Sequence, residues 1–477
     1  MRWEDVKASM SDFWFEFRRE RSGLLGLALL LLFVGIALAA PLVAPPETST
    51  RWRDVTYWEN YPSTAPPEWV NLFSAKKMPP HLVLSPASTG ERELGTIREA
   101  TFTFLYEFSY DEPPSDMMLL FDPSIEDPDK PPVVVVSVER PDGQVFQLLK
   151  MKSRAIATEE RLARIVVNAE KQAKDTMITF GRQYEDPERI VNIKYEIFDP
   201  LIPLFSEPKV GMMFPDTCSP LKGTYEINAT FYLFSPGDEV RDVKLVMGGK
   251  VFGLLGTDDR RRDLFAGLIW GTQVSLVVGV VTSILSTGIG VLYGVLSAYL
   301  GGFKDELLMR INEIVASIPV LPLLIVIFTV WKPSIWPVIL LMGILGWTGT
   351  ARVVRSMAYQ LKEMPYVEAA RALGAGGWWI ISRHIAPQIL PYTFASIALA
   401  VPGYILLEAG LSFLGLGDVS RVTWGQILHD AQNAAAAIKG YWWWVVPPGL
   451  AIALVGLSFA LLGTALNRIL SPKLKTL

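Results

Sequence analysis

The sequence predicts an α-helical polytopic membrane protein interrupted by a large β-rich extracytoplasmic insertion. Three observations carry that prediction. Half of the 477 residues are hydrophobic and only 19% are charged, which is too apolar for an ordinary soluble chain. The apolar residues gather into six segments, one near the start of the chain and five after residue 255. Between them, residues 46–254 hold 32 acidic and 23 basic side chains (net −9), whereas the remainder holds 16 acidic and 21 basic (net +5). Two blocks of opposite charge point to opposite sides of a membrane and give no support for nucleic acid as a partner. The single cysteine, Cys218, rules out an internal disulfide framework. Three scattered histidines, His81, His384 and His429, argue against a histidine-rich metal centre.

Residues 1–22 read as a cytoplasmic amphipathic segment, with Phe13, Trp14, Phe15 and Phe17 beside Arg18, Arg19 and Arg21. Residues 23–45 form the first transmembrane helix, because residues 23–43 carry no charge and can cross a ~30 Å hydrocarbon core. That run is too long, and too far from the start, to read as a signal peptide. The amino terminus is therefore expected in the cytoplasm.

Residues 46–254 are different material. Proline-rich punctuation alternates with strand-like runs such as ATFTFLYEFSY, PPVVVVSVE and TYEINATFYLF. The PDG at 141–143 is expected to turn a hairpin between residues 133–138 and 144–149. One helix is expected from Thr158 through residue 174, with Arg161 where a full capping box would have glutamate. A segment of this length can bury its own core, so a folded β-rich domain, a sandwich in outline, is expected outside the membrane. Asn228-Ala229-Thr230 matches a glycosylation acceptor, but equally a chance tripeptide in a strand.

Residues 255–477 make up the second apolar region, transmembrane helices two to six. Residues 271–300 are rich in small residues (Gly279, Ser283, Ser286, Gly288, Gly290, Gly294), which let helices approach closely in lipid. A third span, 314–330, carries Pro319 and Pro322, and a fourth runs from Trp336 to about Gly349. A fifth begins at Tyr392 and a sixth covers 442–466. Two in-membrane carboxylates, Glu313 and Glu408, either line a polar path or fix helix packing, and Pro319 would loosen the third helix near that path.

The stretch 346–391 separates the fourth and fifth spans and is too polar to lie in hydrocarbon. It holds Arg352, Arg355, Lys362, Glu363, Glu368, Arg371, Arg383 and His384. Each central charge would cost roughly 2.5–3.5 kcal/mol. A surface loop over 350–390 is expected, on the cytoplasmic side by its positive excess. Within it, YVEAARAL (366–373) reads as a short helix ended by Gly374, with Glu368 and Arg371 placed to brace each other.

This stretch resembles the EAA loop of ATP-binding-cassette importer permeases, through Glu368-Ala369-Ala370, then Gly374, then Ile389-Leu390-Pro391. Beyond it the chain resembles the C-type permease subunit of dipeptide and oligopeptide importers. Leu255-Gly256-Thr257-Asp258 and Arg262-Asp263 match that family, with Arg261 in place of its glycine. Tyr299-Leu300-Gly301-Gly302, Met309-Arg310, Ala351-Arg352, Val354-Arg355, Glu408 with residues 411–417, and Trp424-Gly425 also match. The resemblance is loose over 1–45, dense over 255–477 and absent over 46–254.

The resemblance implies a type I importer permease fold of six transmembrane helices, with both termini in the cytoplasm of a multi-pass protein of the cell membrane. It implies that Tyr366, Glu368, Ala369, Ala370, Arg371, Leu373 and Gly374 form a coupling helix docked on an ATPase, supported by Arg352, Arg355, Arg383 and Pro391. The implied partners are a homologous permease, two ATPase subunits and an extracytoplasmic substrate-binding protein, around the lipid bilayer. The chain itself is expected to be non-catalytic and to bind no cofactor, ATP and Mg being used by the partner ATPases. Consistently, no GxxxxGK[ST], HExxH or GxSxG occurs. The implied cargo is oligopeptide or dipeptide, with oligosaccharide as the alternative. A membrane-anchored receptor or scaffold is the reading from another class.

Overall fold

The computed structural model describes residues 13–127, 129–153, 162–191, 193–331, 334–418 and 420–470. The expectations placed on residues 1–12, on Thr158 and Arg161, and on 471–477 lie outside them. Two compact units emerge, Met1–Arg53 with Leu264–Leu477, and Asp54–Asp263. The second starts later than the expected insertion and takes in 255–263.

In the first unit the chain begins with α1 (Arg21–Val43). Its buried residues Gly23, Gly26, Phe33, Ala37 and Ala40 recur at helical spacing and make one seam.

The second unit is built from two antiparallel sheets. One has the order β1-β9-β4-β7 and the other β2-β3-β8-β5-β6. The strands are β1 (Leu82–Leu84), β2 (Ser88–Leu94), β3 (Ile97–Phe108), β4 (Asp116–Ser124), β5 (Val133–Glu139), β6 (Val145–Lys152), β7 (Ala163–Val166), β8 (Gly223–Leu233) and β9 (Glu239–Gly248). Alternate residues of β8 are buried, as a strand with one core face requires. Phe104, Tyr106, Tyr225 and Phe231 from one sheet share a single core with Met117, Phe121, Leu245 and Met247 from the other. The expected hairpin is present, with Val133 opposite Lys152 and Gly143 at φ 80° in its turn.

The helix expected over 158–174 is corrected. Its described part is strand β7, then a 3-10 turn, and α2 (Lys171–Gly181) starts only afterwards. β-branched Ile165, Val166 and Val167 sit better on a pleated sheet than on a helix. Asn228 lies in β8 between two partner strands; its carbonyl oxygen accepts from Thr103 and its amide donates to Glu226.

Arg261 lies in a tight turn, its backbone N–H donating to the Asp258 carbonyl at 3.1 Å. It adopts φ 67°, and its guanidinium donates to the Tyr61 carbonyl at 2.7 Å and the Asp116 carboxylate at 3.0 Å. Asp258 closes the same turn by accepting from the backbone amides of Arg260 and Arg262 and from Arg262 Nε.

The first unit resumes with α3 (Leu264–Leu300), α4 (Gly302–Ser317), α5 (Val320–Val330), α6 (Ile335–Gly346), α7 (Thr348–Lys362) and α8 (Pro365–Ala372). It ends with α9 (Gly377–Phe413), α10 (Trp424–Asn433) and α11 (Trp442–Leu470). Among the described residues α1, α3, α9 and α11 are each long and apolar enough to cross a membrane. The pairs α4–α5 and α6–α7, bent by 68° and 41°, would raise the number to six if each is one span. The third span is thus broken rather than continuous: α4 stops before Ile318, and α5 starts after Pro319.

Small residues set the packing. A side chain at Gly26 would meet the Ser458 carbonyl of α11, one at Gly279 would meet Val401 and Ile405 of α9, and one at Gly294 would meet the Ala351 carbonyl of α7. Gly288 faces open space and takes no part in this packing.

Candidate functional site

The stretch expected to be a loop is almost wholly helical. Arg352 and Arg355 lie on α7, which continues the fourth apolar segment around a bend. Thr348, Ala351, Val354 and Ala358 form its buried face. They recur at spacings of three and four, and Gly290 and Gly294 of α3 let that face approach.

α8 is a two-turn knuckle between α7 and α9. Pro365 occupies its first turn, where a missing N–H costs nothing. Gly374, at φ 84°, ends it. The Gly374 N–H donates to the Arg371 carbonyl and the Ala375 N–H to the Ala370 carbonyl, both at 3.0 Å. This is the Schellman arrangement, which satisfies the last carbonyls through one left-handed residue. Val367 turns inward onto a core shared with Val295, Val354, Ile380 and Ile389, and Ala370, three residues on, is buried too. Tyr366, Glu368, Ala369, Arg371 and Leu373 are exposed, Leu373 at 89%. The expected bracing of Glu368 by Arg371 is not formed; among the described residues no ion pair joins them. Neither side chain is needed to hold the helix, since proline and glycine already cap it.

α7 is fixed to the α3–α4 corner by a polar clasp. Asp305 of α4 is buried and accepts from Arg355, from the Tyr359 hydroxyl at 2.8 Å and from the Ser297 hydroxyl. Lys362 at the end of α7 donates to the carbonyls of Ala298 and Tyr299 at 3.2 and 3.3 Å. Tyr299 also lies where a side chain at Gly377 would fall, so Gly377 lets α9 begin against it. Sequence reasoning named Arg355 as a support, gave Lys362 no role and missed Asp305 and Tyr359; a lone aspartate opening an amphipathic helix was the available signal.

The other expected residues are dispersed. Arg352 is exposed, with no ion pair among the described residues. Arg383 and His384 sit on the π-turn Ile381–Ile385 of α9. With Tyr366, Pro387 and Gln388 they line a cleft of about 380 Å³ beside the knuckle. Pro391 lies inside α9. Glu313 is 60% exposed and paired with Arg310 at 3.0 Å. Glu408 is buried, with one oxygen accepting from the Ser412 hydroxyl at 2.6 Å. The two carboxylates are on α4 and α9, and no described cavity is lined by both.

Two families match the chain: the binding-protein-dependent transport system inner membrane component over residues 290–476, and the N-terminal TM domain of oligopeptide transport permease C over residues 9–67. The first match contains the knuckle and its clasp. The dipeptide transport system permease protein DppC of Bacillus subtilis is 34% identical over 221 residues, 46% of this chain and 68% of its own. The oligopeptide transport system permease protein OppC of Haemophilus influenzae is 36% identical over 223 residues, 46% of this chain and 71% of its own. OppC of Bacillus subtilis is 35% identical over 221 residues, 46% and 72% of the two chains.

Proposed function

The chain belongs to the family of binding-protein-dependent transport system inner membrane components, and from that premise we propose that it is the permease subunit of an ATP-driven peptide importer. The observation that carries the reading is the capped knuckle Pro365–Gly374. It is rigid at both ends, exposed on one face, and joined through α7 and the Asp305 clasp to the corner where α3 meets α4. A short helix held in this way can pass a push from a partner to the bundle without unfolding.

In the proposed mechanism one of two ATPase subunits grips the exposed face through Tyr366, Glu368, Ala369, Arg371 and Leu373, with buried Ala370 seating the helix and Gly374 holding the cap. Arg383 in the neighbouring cleft widens that contact, whereas Arg352, ten residues before the end of α7, and Pro391, inside α9, stand apart from it. Nucleotide and magnesium belong to the ATPases. Their closure displaces α8, and α7 carries the displacement into α3 and α4. A homologous permease completes the pathway and a substrate-binding protein delivers peptide from the other side. On this reading the chain crosses the membrane six times, with both termini and the knuckle in the cytoplasm and the β-rich unit outside. The break at Pro319 lets α4 and α5 change angle during the cycle, whereas Glu408 acts in packing.

Reconstitution tests the reading. Glu368→Lys should leave ATP hydrolysis by the complex running while peptide uptake fails. Normal uptake by that variant, or failure of the wild-type chain to co-purify stoichiometrically with nucleotide-binding subunits, would sink it. The second outcome would favour a receptor or scaffold instead.

A further inference from the structure

Asn312 is fully buried on α4, and the coupling reading gives it no role. Its Nδ2 donates to the carbonyl of Thr348, the first residue of α7, at 3.1 Å. Asp305 lies seven residues before it on α4, and Arg355, the partner of Asp305, lies seven residues beyond Thr348 on α7. Seven residues are two helical turns, so Asp305 and Asn312 stand on one face of α4. Asp305 with Arg355 and Asn312 with Thr348 pair in opposite chain senses. α4 and α7 are therefore antiparallel, tied at both ends of a contact ~10 Å long.

α3 closes the same corner. The Tyr293 hydroxyl donates to the Leu308 carbonyl of α4 at 2.7 Å, and its ring lies 4.3 Å from that of Trp347, the residue before α7. A side chain at Gly290 would meet the Trp347 carbonyl and Thr350, so glycine lets α3 approach there. The bends lie just outside the tied stretch. α6 turns into α7 through 41° across Trp347, and α4 into α5 through 68° across Ile318 and Pro319. One hydrogen bond would let two packed helices roll and slide about it; a second, two turns away, removes both freedoms. A buried asparagine between helices sets register in this way while adding little to stability. Here its Oδ1 has no protein partner among the described residues, so the side chain is better suited to fixing a position than to holding the fold.

We propose that Asn312 is a positioning residue that makes α4 and α7 one rigid strut. A push on the knuckle then turns both helices together, with the give confined to Trp347 and to the Ile318-Pro319 break. The source of the push rests on the coupling reading; the rigidity of the strut does not.

The test has two arms. In the first, the full chain in nanodiscs, in a Cys218→Ser background, carries nitroxides at Glu313→Cys and Gln360→Cys, both exposed and roughly 20 Å apart along the strut by helical rise. The pair should give one narrow distance distribution, and Asn312→Leu, which keeps the volume and removes the donor, should broaden it. Equal widths in the two chains would overturn the proposal. In the second arm the chain is reconstituted with nucleotide-binding subunits in proteoliposomes. The distance between the labels should stay the same with and without ATP, and a shift of its mean would overturn the strut even where uptake is normal. Asn312→Leu should unfold at the wild-type temperature and hydrolyse ATP, yet take up several-fold less peptide per ATP. Combining it with Arg355→Lys should lower that ratio no further, since either tie lost frees the strut. Wild-type coupling by Asn312→Leu, or a loss matched by a lower unfolding temperature, would overturn the proposal and leave Asn312 a packing residue. If no nucleotide-binding subunit joins the wild-type chain, the coupling reading falls and the first arm still decides the strut.

Discussion

Arg355 grips Asp305 with two nitrogens of its guanidinium, Nε 2.7 Å from Oδ1 and a terminal nitrogen 2.5 Å from Oδ2. The pair joins α7, which leads into the knuckle, to α4, which leads away from α3. Asp305 is almost fully enclosed, so its charge depends on the partners it has there. A planar fork fixes angle as well as distance, which a lysine ammonium cannot do. Arg355→Lys should therefore fold and assemble, yet lose several-fold in uptake while the complex still hydrolyses ATP. Arg355→Ala leaves a buried carboxylate short of donors and should lower stability by about 1–3 kcal/mol. Uptake and hydrolysis both normal in Arg355→Lys would mean that the clasp only holds the fold.

Gly374 carries the cap of the knuckle by its backbone alone. A side chain there would meet no neighbour, so steric crowding from other residues is not the issue. The cost lies in φ 84°, which an L-residue adopts at about 1–2 kcal/mol. Gly374→Ala should fray the last turn of α8, and Gly374→Asn, which tolerates this region better, should fray it less. The ratio of peptides taken up to ATP hydrolysed should fall in the order Gly, Asn, Ala. Identical ratios for all three would show that the cap does not position the contact.

The sequence showed what repeats locally and hid what closes over distance. α1, α3 and α11 were legible because long uncharged runs have few other readings, and α8 because strong helix formers run up to a terminating glycine. α7 was read as loop because Arg352, Arg355 and Lys362 are charged. The structure shows that Ala351, Val354 and Ala358 form a helical seam on α3 and that two of those charges are satisfied by Asp305 and by helix-end carbonyls. Asp305 lies fifty residues from Arg355, so no spacing could reveal the pair. Arg261 stood out only as a replacement for glycine, and the missing information was again distant: Tyr61 and Asp116 hold it in place.

Glu408 separates a packing role from a pathway role. It is enclosed, and its Oε1 accepts from Ser412 one turn along α9. Glutamine keeps the shape and that acceptor while removing the charge. Glu408→Gln should therefore keep uptake close to wild type. Glu408→Ala should cost about 2 kcal/mol, because it opens a void and leaves the Ser412 hydroxyl without its acceptor. If Glu408→Gln abolishes uptake in a chain that unfolds at the normal temperature, the charge itself serves the path.

The β-rich unit has a titration that can be isolated by one substitution. Burial among Tyr61 and Phe252 pushes the His81 imidazole down to about 4; Arg261 adds to the depression and Asp116 opposes it. The folded state thus disfavours the proton that the unfolded chain accepts near pH 6.5. His81 contributes no penalty above that pH and a growing one as pH falls to 4, approaching about 3 kcal/mol. Asp199 works in the opposite sense. Burial raises it to about 6, against the Leu201 N–H that it accepts, so its penalty is present at pH 7 and disappears on acidification. The two partly cancel in the wild type. His81→Phe keeps a ring against Tyr61 and removes only the first, so the variant should gain stability relative to wild type as pH drops from 6.5 to 4. Calorimetry of the full chain in nanodiscs would show this as a widening difference in Tm. A difference that stays flat over that range would mean that the imidazole keeps its ordinary affinity for a proton, and that Tyr61 and Phe252 do not shut water out.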